Sequence, residues 1–171
     1  MEPAPKLACA AAIAASVFGF AAPPGARAEG LIATHRIPAG LAMEAVVETV
    51  AACAKQNYAE SAVVVDADGV RIALLRGDKA GVHTLDSAFH KAYTAVTFKA
   101  DTSATMKRAE SSPTLTNLIV KLPNLVAAGG GLVIKAGDET IGAIGASGAP
   151  GGDLDDACAK AGLDKIADRL K

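Results

Sequence analysis

Hydrophobic and polar positions change period several times along the chain. In "IPAGLAMEAVVETVAACAKQNY", residues 37–58, Ala42, Val46, Val50 and Cys53 recur at helical spacing, with Glu44, Glu48 and Lys55 off that stripe. This predicts an amphipathic helix ended by Asn57 and Tyr58. The period then shortens. "SAVVVDADGVRIALLRGD" holds two β-rich runs, Ala62–Val65 and Val70–Arg76, joined by "DADG". Gly69 suits a positive-φ position in that turn, so a hairpin is predicted.

"HTLDSAFHKAYTAVTFK" returns to helical spacing, with Leu85, Phe89, Ala92 and Val96 as its apolar stripe. Asp86 and His90 share another face at i, i+4. "DTSATMKRAE" and "PTLTNLIVKL" predict two shorter helices. Asp101 or Thr102 is expected to cap the first, and Pro113 suits the start of the second. Three strands are predicted next, Leu125–Ala128, Leu132–Lys135 and Thr140–Ala146, with "AGDE" as the turn between the last two. A final helix runs from Asp153 to about Leu170. The order is helix, two strands, helices, three strands, helix. Consecutive hairpins imply an α+β fold around a mostly antiparallel sheet.

The first residues follow another logic. Lys6 precedes an apolar stretch, Leu7–Ala22, and Ala26-Arg27-Ala28 closes the segment. Charge, apolar core and A-x-A site in that order are the pattern of a secretory signal over residues 1–28. The apolar run is short for a membrane span and no later segment is long enough, so no transmembrane segment is expected in the mature chain. Residues 29–171 then form a single domain in a periplasmic or secreted protein.

Charge and composition narrow the partners. Residues 29–171 carry 15 basic and 17 acidic side chains, and Trp is absent. Without a basic excess to neutralise phosphates, and with few aromatics to stack on bases, nucleic acid is excluded as an expected partner. Cys9 falls in the signal, which leaves Cys53 and Cys158. In an oxidising compartment they are either a disulfide or two buried thiols.

The stretch "IGAIGASGAPGGDLDDACAKAG", Ile141–Gly162, brings an apolar run to a glycine-rich corner. Gly142, Gly145 and Gly148 are spaced by three, so G-x-G-x-x-G is absent, and so is the P-loop lysine. Asp153, Asp155 and Asp156 occupy the start of the next helix and would repel a phosphate there. The glycines are therefore expected to serve tight turning and close packing, with Asp153 as the helix cap. "GASGA" falls short of G-x-S-x-G, since Ala149 replaces the last glycine, and Ser147 is discounted as a nucleophile.

"CAKQNYAESAVVVDADGVRIALLRGDKAG", "SAFHKAYTAVTF", "AAGGGLVI" and "IGAIGASGAPGGDLDDACAKAGL" resemble, in this order, the GlcG/HbpS-like family, also met as the C-terminal domain of PduO-type proteins. The resemblance runs from about Leu41 to Ile166. Val133 stands where the family has proline, and "GASG" where it has "GVSG". It implies a profilin-like, three-layer α/β/α sandwich with a five-stranded antiparallel sheet. That arrangement would put the first and last helices on one sheet face and bring Cys53 and Cys158 together. The resemblance also implies homo-oligomers that bind haem, or alternatively a corrinoid, in haem handling or redox sensing.

The candidate site residues follow. His83 lies in the loop between the "LLRGD" strand end and the next helix, a position from which binding groups often act, and is the candidate iron ligand. Arg76 and Lys91, near it in sequence, are candidates for the propionates, as is Lys79. Thr102 is a further cofactor contact. His83, Asp86 and His90 would form a metal site if loop and helix converge, while no Cys/His spacing fits structural zinc. Two other functions stand beside haem binding: an enzyme acting on a small molecule, and an oligomeric interaction protein without chemistry. No activated nucleophile or acid–base pair is visible to support the first of these.

Overall fold

The computed structural model describes residue 30 and residues 32–170. The predicted signal segment lies outside the described residues. Helix α1 spans Ala39–Ala54, strands β1 and β2 span Ser61–Asp66 and Arg71–Arg76, and helix α2 spans His83–Phe98. Two short helices follow, α3 (Thr102–Glu110) and α4 (Pro113–Lys121). Strands β3 (Gly131–Ala136) and β4 (Glu139–Ser147) precede α5 (Gly152–Ile166), and a 3-10 turn covers Ala167–Arg169. Among the described residues, no helix is long and apolar enough to cross a membrane.

The four strands pair antiparallel in the order β2-β1-β4-β3. The expected fifth strand, Leu125–Ala128, is not formed. The Val126 N–H is taken by Thr94 Oγ1 on α2, at 2.9 Å, and the segment runs on into Gly129 without joining the sheet. An apolar run therefore covers a helix instead of extending the sheet.

Alternation along the strands divides the core in two. Ala62 and Val64 of β1, with Ile144 and Ala146 of β4, meet Ala42, Ala45 and Val46 of α1 and Ala159 and Ile166 of α5. Val63 and Val65, with Ala143, meet Phe89, Ala92 and Val96 of α2 on the opposite face. The result is a helix–sheet–helix sandwich, each face sealed by the period-2 pattern of the central strands.

Glycine sets the closest approaches. A Cβ on Gly145 would overlap the carbonyl oxygen of Ala88, so α2 rides directly on β4. A Cβ on Gly162 would meet Thr49 Oγ1 and the Ala45 carbonyl, so α5 and α1 touch backbone to backbone there. One turn away Cys53 and Cys158 are joined as a disulfide, with their Cα atoms 5.5 Å apart.

Two expected caps act elsewhere. Asp101 stands at the N-cap of α3, but its Oδ1 accepts from Val133 N of β3 at 3.0 Å. Gly151, not Asp153, is the N-cap of α5. Ser112 does cap α4, accepting from Leu115 N, ahead of Pro113 in the first turn. The β1–β2 turn is as expected, with Gly69 at φ +79° and Asp66 Oδ1 accepting from Asp68 N and Val70 N.

Candidate functional site

The stretches that carry the family resemblance converge on one buried polar cluster. Lys91, in the middle of α2, points inward through the gap left by Gly130 and Gly131. A Cβ on Gly130 would lie 2.8 Å from Lys91 Nζ, and one on Gly131 would overlap the Lys91 carbonyl and Thr102 Cγ2. The ammonium donates to Asp155 Oδ2 at 2.5 Å and to the carbonyl of Ala146 at 3.0 Å. Both charged side chains are only 5% exposed. Asp155 Oδ1 accepts from Ala149 N, so this carboxyl has a partner at both oxygens.

A second carboxyl faces it. Glu60, just ahead of β1, is 1% exposed, and its Oε1 has no donor. Burial, together with the neighbouring Asp155 carboxylate, pushes Glu60 up to about 8, against the pull of Lys91. Two buried carboxyls sharing one lysine cannot both ionise cheaply, and Asp155 has the better partners. Glu60 therefore holds the proton at neutral pH.

Outside this cluster, a cleft of about 330 Å³ is lined by Ser103, Met106, Gly129, Gly152, Asp153 and Asp156. Asp156 Oδ1 accepts from Gly130 N at 2.5 Å, and burial raises its carboxyl above the usual range. The larger concavity lies against α4. It is a groove of about 810 Å³ lined by Leu115, Leu118 and Leu122 together with Arg108 and Lys121. Only Ile119 of α4 is buried, while Leu118, Val120 and Leu122 are exposed.

The structure separates the residues singled out from sequence. Lys91 and Thr102 come together around the triple glycine, where Thr102 Oγ1 accepts from Gly131 N at 2.9 Å. Both are buried. Lys91 is committed to Asp155, so its expected propionate role is corrected to an internal ion pair, and Thr102 fastens β3 to α3. Arg76 donates through Nε to the Ala80 carbonyl at 2.7 Å and closes its own loop.

His83 is exposed in the first turn of α2 rather than in the preceding loop. Asp86 lies within the same turn, 4.0 Å from Arg71, and His90 two turns on packs beside Phe89. Seven helical residues rise about 10 Å, so the three side chains form a ridge and do not converge. Among the described residues no group of His, Cys, Asp or Glu is arranged to hold a metal ion, and the expected metal site is corrected accordingly. His35, an exposed histidine, pairs with Glu139 at 2.6 Å.

Sequence reasoning missed Glu60, Asp155 and the α4 groove. The only sequence trace of Glu60 is a lone acid directly before the apolar run of β1, and nothing local names its partners.

Comparison with known proteins adds the following. Residues 37–164 match the family described as haem-degrading protein HbpS-like. No curated protein matches the chain. A doubly substituted HbpS from Streptomyces reticuli is 38% identical, with TM-score 0.75 over 84% of this chain and 96% of that one. Klebsiella pneumoniae protein ORFY, at 24% identity, covers 81% of this chain and 95% of that one with TM-score 0.76. A PduOC–haem complex, at 22%, covers 77% and 96% with TM-score 0.72. The last two show the shared fold alone.

Proposed function

The chain belongs to the HbpS-like family, and on that premise we propose that it is an exported haem-binding protein that works as a homo-oligomer. The observation that carries the haem-binding part of this reading is the match over residues 37–164, supported by 38% identity to HbpS along nearly all of that chain; export rests on the residues 1–28 pattern. Haem supplies an iron centre when bound. This chain would supply an apolar surface, cations for two propionates and an iron ligand. The α4 groove fits the first two needs, with leucines and the cations of Arg108 and Lys121 in its lining. Its lining contains no histidine and no residue of α2, and His83, exposed at the start of α2, is retained as the proposed iron ligand from the sequence reading alone. The exposed apolar residues of α4 also support assembly of several copies. The corrinoid alternative has no support and is set aside.

Haemin titration followed in the Soret band tests the proposal. Saturable binding is expected. His83→Ala should weaken it about tenfold, or about 1.4 kcal/mol, and alter the spectrum. Arg108→Glu with Lys121→Glu should weaken it with the spectrum kept. Absence of saturable binding by the unsubstituted protein overturns the reading. An unchanged spectrum in His83→Ala removes that ligand alone.

A further inference from the structure

We propose that Glu60 and the Cys53–Cys158 disulfide form a redox-linked proton site, in which reduction of the disulfide releases the proton that Glu60 holds. The observations are geometric. Glu60 Oε2 lies 3.2 Å from Cys53 Sγ, and both residues are almost fully buried. A disulfide sulfur carries no hydrogen, so a hydrogen bond across this contact in the oxidised protein is donated by the carboxyl. Its one proton has two acceptors in reach, the Cys53 sulfur and the Asp155 carboxylate. The groups facing Glu60 are the disulfide between α1 and α5, Asp155 of α5, Lys91 of α2 and the backbone N–H of Ala149.

Reduction reverses the contact. A dithiol reductant gives up two electrons and two protons: its own S–S bond forms, the Cys53–Cys158 bond breaks, and each cysteine becomes a thiol. The Cys53 S–H now points a donor at Glu60 where none existed before. A donor to a carboxyl oxygen favours the carboxylate, so Glu60 loses its proton to solvent at a lower pH than in the oxidised protein. By linkage, raising the pH favours the reduced form wherever Glu60 is protonated only in the oxidised one. Burial of both sulfurs slows access by the reductant but does not enter the equilibrium.

Two measurements on the full chain test this. The first is the exchange equilibrium with dithiothreitol between pH 6 and 8.5. It should shift toward the reduced protein by roughly three- to tenfold as pH rises, and Glu60→Gln should remove that rise. The second is redox-difference infrared spectroscopy of the unsubstituted protein at pH 7.5, where the protonated-carboxyl band should weaken on reduction. The change should persist in Asp156→Asn, whose carboxyl is also raised, and vanish in Glu60→Gln. A carboxyl band unmoved by reduction overturns the proposal even if Glu60→Gln fails to fold. So does an equal pH dependence of exchange in Glu60→Gln and the unsubstituted protein.

Discussion

Gly145 of β4 lies so close beneath Ala88 of α2 that the helix carbonyl occupies the place a Cβ would take. The amide of Ala92 closes the same space, 2.7 Å from that position. Backbone atoms cannot rotate aside, so Gly145→Ala must lift α2 from the sheet. The expected cost is roughly 1–3 kcal/mol, read as a lower urea midpoint with unchanged slope. Stability equal to that of the unsubstituted protein would show that α2 sits further from β4 than described.

Glu60 gives the protein a distinctive pH dependence. Its folded value of about 8 lies above its ordinary 4.5. Below 4.5 both folded and unfolded chains hold this proton, and the stabilising contribution is complete. Between 4.5 and about 8 the unfolded chain has lost the proton while the folded chain keeps it, so stability falls as pH rises, by up to about 1.4 kcal/mol per unit. Glu60→Gln cannot ionise. In the oxidised protein it should gain on the unsubstituted chain by roughly 2–4 kcal/mol between pH 5 and pH 8. An equal stability difference at the two pH values would mean that Glu60 is already ionised when folded.

Lys91 tests the same cluster from its other end. Lys91→Met leaves the Asp155 carboxylate buried without its cation, which should cost about 3–5 kcal/mol. Adding Asp155→Asn should recover part of the loss, and a double-mutant cycle in urea measures how much. Additive losses would show that the two side chains act independently.

Replacing both Cys53 and Cys158 with alanine should lower stability by about 2–5 kcal/mol, because their bond closes a loop 105 residues long. Mass analysis of unreduced peptides should find the two cysteines in one linked fragment. Two separate thiol peptides would remove the bond and leave only the packing of α1 on α5.

Most elements were legible because each announces itself locally. Ala42, Val46 and Cys53 mark one face of α1 by spacing alone, and Gly69 marks the first hairpin by its conformational freedom. Leu125–Ala128 misled because an apolar run carries no record of which neighbour takes its backbone hydrogen bonds, here Thr94. Lys91 misled for a related reason. A lysine in an amphipathic helix looks solvated, and the carboxylate that draws it inward is 64 residues away. Asp155 does lie in the acidic first turn of α5, but its partners, Lys91 and the Ala149 amide, are not legible from that position. Long-range charge pairing has no period, so the buried cluster was invisible although every residue in it lies in or beside a recognisable stretch.

The sheet order also fixes a sequence of events during synthesis. β1 lies between β2, which follows it at once, and β4, which is made nearly last. Until β4 arrives, Ser61–Asp66 has one bare edge, and α1 lacks the helix that covers Cys53. A chain stopped before β4 would therefore carry an unmatched thiol and an open strand, the two features by which quality-control machinery can tell an unfinished molecule from a finished one.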